Sequence, residues 1–165
     1  MNLVRASLDG GAVSRQAFRR LAAHFRDPKS WAVYDDVRPA LDALLDRGLS
    51  LAVVSNWDSA LPTLLANLGL APRFQAISVS AVERTGKPDA EIFLRTCRRL
   101  SVSPAEALHV GDSLREDYEG AKAAGLESLL LDREGRHPAV AACIRTLVEI
   151  PTWLDAGVGQ IRAGG

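Results

Sequence analysis

A chain of 165 residues, 47% apolar and 24% charged, is long enough to bury one sizeable core and has the composition of a globular protein. Twenty basic residues balance twenty acidic ones, which removes the broad electrostatic case for a nucleic-acid or anionic-membrane partner. No apolar run reaches membrane-spanning length and the N-terminus has no apolar signal core, so a cytoplasmic domain is expected. Cys97 and Cys143 fall in no paired metal or redox spacing and read as small buried side chains.

In chain order, residues 1–33 carry the amphipathic stretch VSRQAFRRLAAHF, with Val13, Phe18, Leu21 and Phe25 along one stripe, followed by the polar link RDPKS. This reads as a helical appendage, since no strand precedes it. Residues 34–154 then alternate helix and strand patterns. RPALDALLDRG predicts a helix with Leu41, Leu44 and Leu45 on one face and Gly48 as its stop. LSLAVVS (49–55) predicts a strand buried on both faces. SALPTLLANLG predicts a helix capped by Ser59, with Pro62 in its first turn and Gly69 at its end. FQAISVS (74–80) is a second strand, and DAEIFLRTCRRL a helix capped by Asp89 that faces inward through Phe93, Cys97 and Leu100. ALHV (107–110) is a third strand, REDYEGAKAAG a helix, ESLLLD (127–132) a fourth strand and TLVEI a weaker fifth. Residues 155–165 read as a frayed tail. Strands alternating with helices predict an α/β fold, a three-layer Rossmann-like parallel sheet covered on both faces.

Ligands of such sheets bind beyond the carboxyl ends of the strands. The first strand delivers Ser55 and Asn56 there, the second leads through AVERTG to Lys87, and the third ends in Gly111-Asp112-Ser113, with Asp117 entering the next helix. A hydroxyl and backbone N–H groups around Asn56 can bind phosphate oxygens, and Lys87 supplies a compact cation. Asp112 and Asp117 offer the hard oxygens that magnesium prefers, and a divalent cation between them would cancel their repulsion. The bland alternatives are turn residues at Ser55 and Asn56, a surface lysine at 87, and a helix-start charge at 117. Trp57 suits a core edge or a substrate mouth. His24, His109 and His137 lack metal-ligand spacing, and His109, inside a strand, reads as structural.

VVSNWD, GKPDAEIF and HVGDSLREDYEGAKAAG, in this order and on these elements, resemble the second, third and fourth motifs of the haloacid dehalogenase-like hydrolase superfamily, in its helical-cap subgroup. The resemblance covers roughly residues 12–154 and implies a HAD-like core at 34–154 behind a partial helical cap at 1–33. It implies that Ser55, Asn56 and Lys87 bind phosphate, with Lys87 also catalytic, and that Asp112 and Asp117 support Mg²⁺. The expected activity is phosphatase action on a small phosphorylated metabolite through an aspartyl-phosphate. The alternatives are halide displacement from a haloacid, a non-catalytic module that binds a phospho-ligand or a protein, and a response-regulator-like module.

The family's first motif, an apolar strand ending in Asp-x-Asp whose first Asp is the nucleophile, has no counterpart here. Asp9 in SLDGG follows a polar stretch and reads as a turn residue, while Asp35 and Asp36 in YDDV read as starting the following helix. The chain is therefore expected to be a truncated form, inactive alone, with weakened or lost Mg²⁺ binding. The missing strand would be the central one, leaving two unpaired inner edges that favour self-association. The family's usual acidic residue at Val82 and glycine at Arg84 are also absent, which leaves the course of the loop before Lys87 open.

Overall fold

Helix α1 (Val37–Asp46) opens the layered part of the protein, followed by β1 (Ala52–Ser55), α2 (Leu61–Asn67), β2 (Ala76–Val79), α3 (Ser80–Glu83) and α4 (Ala90–Leu100). Then come β3 (Leu108–Gly111), a π-helical turn (Leu114–Glu119) running into α5 (Gly120–Ala123), β4 (Glu127–Leu131), β5 (Cys143–Ile144) and α6 (Ile150–Asp155). These elements come from a computed structural model, which describes residues 24–25 and 27–156. Every strand pair is parallel, as helices between strands require.

Strand parity sorts the core into layers. Val53 packs with Leu61 and Leu64 of α2, while its neighbour Val54 packs with Ile92 and Phe93 of α4 on the other face. Leu108 and Val110 likewise join Leu44 of α1 and Ile150 of α6, and His109 points the other way, its ring 5.0 Å from that of Phe93. Helix α4 forms as the sequence dictates. Asp89 accepts from the Glu91 N–H at 2.9 Å, and Ile92, Phe93, Thr96 and Cys97 make up its buried face.

The sheet is in two parts. β1 pairs only with β2, and β3 with β4 and then β5, so β1 and β3 face each other without pairing among the described residues. Between them lies a slot of about 630 Å³ lined by Leu44, Val53, Phe93, Cys97, Val110 and Ile150, among others. Among the described residues, β1 and β3 thus each have one unpaired edge. The slot also corrects the reading of 49–55 as a strand buried on both faces: all of β1 is only half-buried, because one flank lacks a neighbour. Alternate amides of β1 and β3 point into the slot. Hydrogen exchange should find them faster by at least tenfold than the amides facing β2 and β4.

Other expectations need correction. TLVEI is not a strand. The fifth strand is the short Cys143–Ile144, and Leu147–Glu149 is a 3₁₀ turn before α6, started by Thr146 and Glu149, whose Oε1 accepts from the Thr146 N–H at 2.8 Å. Ser59 does not cap α2; the helix begins at Leu61, and the Ala60 N–H is taken by Asp58 Oδ1 at 2.8 Å. Asp36 precedes α1 but makes no cap. Its carboxylate accepts from Arg133 at 3.0 Å and from the Leu147 N–H at 2.8 Å, and these partners hold it below the usual carboxylate range against the opposing effect of burial. The Arg133 guanidinium also stacks 4.2 Å over the Tyr34 ring.

Of the expected cap, residues 1–23 and 26 lie outside the described residues, as do Asp9 and most of the 155–165 tail. Phe25 is described, and its ring sits 5.9 Å from Trp31 and 6.0 Å from Trp57. Trp57 is half-buried in this aromatic group, at the edge of the core. No helix among the described residues is long and apolar enough to cross a membrane.

Candidate active site

β3 ends at Gly111, and the chain then turns back over its own tip. Ser113 starts the π-helical turn, its Oγ accepting from the Glu116 N–H at 3.1 Å, and its carbonyl accepts from both Asp117 and Tyr118. That widened turn lays the Asp117 side chain across Gly111. A β-carbon at 111 would stand 2.2 Å from Asp117 Cγ, so the residue beneath must be glycine.

Asp117 is 3% exposed and fully engaged. Its Oδ2 accepts from the Ser113 N–H at 3.0 Å, and its Oδ1 accepts from Lys87 Nζ and lies 2.8 Å from His109 Nε2. An ionised carboxylate can only accept, so the His109 Nε2–H donates. Burial alone would raise the Asp117 pKa. The His109 hydrogen bond and the Lys87 charge outweigh it and hold the group well below the usual carboxylate range.

Lys87 arrives from a loop beyond α3 in which Arg84 adopts a left-handed φ of 57°, at the position where a glycine was expected. Its backbone is gripped by Asn56. The Lys87 N–H donates to Asn56 Oδ1 and Asn56 Nδ2 donates to the Lys87 carbonyl, both at 2.8 Å, while Nδ2 also lies 3.2 Å from Glu116 Oε2. The Trp57 N–H, part of the expected anion nest, is used instead by Ser80 Oγ at 3.1 Å.

The five residues singled out by sequence thus meet at one edge, joined through Asn56, Lys87 and Asp117. They differ in availability. The Ser55 hydroxyl has no hydrogen-bond partner among the described residues, and the exposed Asp112 carboxylate has neither hydrogen bond nor ion pair there. Asp117, by contrast, neutralises Lys87. The two aspartates escape mutual repulsion because a lysine stands beside one of them.

Magnesium takes an octahedron of hard oxygens, commonly one or two from carboxylates and the rest from water and phosphate. Asp112 can supply one such oxygen, whereas both oxygens of Asp117, expected beside it, already have protein partners. No three His, Cys, Asp or Glu side chains converge into a metal cluster among the described residues, so an ion at Asp112 would need the rest of its shell from water and an anionic ligand. His109 is the residue whose part in the site was missed. The signal was its parity: Leu108 and Val110 claim one face of β3, which leaves an imidazole on the other, where it needs a polar partner.

Comparison with known proteins identifies the family. Residues 4–125 match the haloacid dehalogenase-like hydrolase family. The chain is 40% identical over 112 residues to haloacid dehalogenase-like hydrolase domain-containing protein 3 of Mus musculus, covering 68% of this chain and 45% of that protein. It is 35% identical over 129 residues to a phosphoserine phosphatase of Thermus thermophilus, covering 75% and 50% of the two. The crystal structure of a HAD phosphatase from Thermococcus onnurineus superposes with a TM-score of 0.74 at 34% identity, over 89% of this chain and 66% of that one. The chain spans about half the length of the curated relatives it matches. With the motif residues gathered at the tips of a parallel sheet, the chain belongs to the haloacid dehalogenase-like hydrolase family.

Proposed function

We propose that this chain forms the anion-binding half of a Mg²⁺-dependent phosphatase acting on a small phosphorylated metabolite in the cytoplasm. One observation carries the reading: a free hydroxyl at Ser55, a fixed ammonium at Lys87 and an unpaired carboxylate at Asp112 share one strand edge. Ser55 donates to a non-bridging phosphate oxygen. Lys87 faces the transferring group as a charge already in place, so little reorganisation is needed when negative charge builds up. Asp112 would hold the ion, which when bound supplies further neutralisation of phosphate charge. Asp117 and His109 stand behind Lys87.

In the covalent step a carboxylate oxygen attacks phosphorus, the substrate alcohol leaves, and water then cleaves the acyl phosphate. No strand among the described residues occupies the slot between β1 and β3, whose lining reaches Val54 and Val110, one residue short of Ser55 and Gly111 at the strand ends. We assign the attacking carboxylate to a strand seated there. Without such a strand the same edge is a phospho-ligand binding module, and the open edges favour self-association at high concentration.

Titration with inorganic phosphate in the presence of Mg²⁺ tests the reading. Binding should weaken by about tenfold in Ser55→Ala and by more in Lys87→Met, the loss of one neutral and one charged hydrogen bond. The chain alone should release no phosphate from an aryl phosphate. Turnover by the chain alone, or phosphate binding indifferent to Lys87→Met, would contradict it.

A further inference from the structure

We infer that Asn56 is a positioning residue that acts through Lys87 rather than a ligand of the phosphate. A side-chain amide has two N–H donors and one carbonyl oxygen. Here the oxygen receives the Lys87 N–H at 2.8 Å, and Nδ2 gives to the Lys87 carbonyl at 2.8 Å and faces Glu116 Oε2 at 3.2 Å. Both donors are spent, and a phosphate oxygen could claim one only by breaking this arrangement.

What the amide does instead is imitate a strand. It forms with the Lys87 peptide the two-bond ring that one strand makes with its neighbour, across 31 residues of sequence. The backbone has to come close for this. A β-carbon on Gly86 would lie 2.7 Å from Asn56 Oδ1 and 3.0 Å from Ser80 Cβ. Lysine has a long flexible stem, so the placement of its ammonium depends on where its backbone is held. Asn56 follows Ser55 directly, and the clamp therefore sets the spacing between that hydroxyl and that ammonium. Glu116 extends the link to the turn carrying Asp117, so one amide ties three strand tips together.

The inference deepens the phosphatase reading, and its test keeps the two separable. The full chain is compared with Asn56→Ala, Asn56→Asp and the double variant Asn56→Asp/Glu116→Gln, each checked for folding by far-UV circular dichroism. One readout is the NMR signal of the Lys87 ammonium, sheltered by its pairing with Asp117; the other is affinity for inorganic phosphate. In Asn56→Ala the sheltered signal should be lost and affinity should fall by about tenfold, the cost of a misplaced hydrogen-bonding partner. Asn56→Asp keeps an acceptor for the Lys87 N–H but turns an anionic oxygen toward Glu116. It should behave like the alanine variant, and Glu116→Gln, by offering a donor there, should restore part of both signals.

An Asn56→Ala chain that binds phosphate weakly while its Lys87 signal is unchanged would overturn the inference, making Asn56 a direct ligand. So would a double variant no better than Asn56→Asp. A parent chain that ignores phosphate, with the Lys87 signal responding as described, would uphold the clamp and sink the phosphatase reading.

Discussion

Asp117→Ala should destabilise the protein by about 3–5 kcal/mol, the range for removing one partner of a buried ion pair. The Lys87 side chain is 12% exposed, so its ammonium would be left buried without a counter-charge, and the Ser113 N–H would lose its acceptor as well. Urea denaturation followed by tryptophan fluorescence measures the loss. The effect also has a pH signature. The folded-state pKa of Asp117 lies below its unfolded value, so its contribution is complete above about pH 4 and drains away as the pH falls further. In Asp117→Asn that acid limb should flatten. An unchanged limb would mean that the carboxylate is not the group being held.

Gly111→Ala should cost about 3 kcal/mol, the upper end of ordinary overpacking, because the new methyl collides with a side chain that cannot easily move. Asp117 Cγ, Cβ and Oδ1 all stand within 2.6 Å of the position it would occupy. Relief requires Asp117 to swing away, which also frees Lys87. Gly111→Ala combined with Asp117→Ala should therefore cost less than the sum of the two, since part of the collision is with atoms the second change removes. Phosphate affinity should fall with Gly111→Ala although the residue touches no ligand. Additive losses would separate the glycine from the ion pair.

The site was legible in the sequence where each residue's role follows from its place on an element. Ser55 ends, and Asp112 directly follows, a strand whose apolar run is plain, and parallel strands bring their carboxyl ends together whatever the details. Lys87 needed its context, since a lysine in a loop carries no periodic signal and only the groups at the neighbouring strand ends single it out. What stayed hidden depends on contacts between elements. The reach of Asn56 to Lys87 is set by a loop with a left-handed residue, and the engagement of Asp117 by a π turn where an ordinary helix was expected. For the fold, long apolar runs gave the four main strands within one to three residues. The fifth failed because Cys143–Ile144 is too short to show a period, while TLVEI has strand-forming residues that a capping pair turns into a helix start.

Asp36 ties the start of the layered part to its far end. Its carboxylate fastens the chain entering α1 to Arg133, just past β4, and to the Leu147 N–H at the approach to α6. Phe25 and Trp31 lie upstream of that fastening, and their rings pack on Trp57 just past β1. The segment is thus held twice, by the Asp36 carboxylate and by the Trp57 ring. Extra residues grafted between Trp31 and Tyr34 would lengthen the span between those two holds while each keeps its own partners.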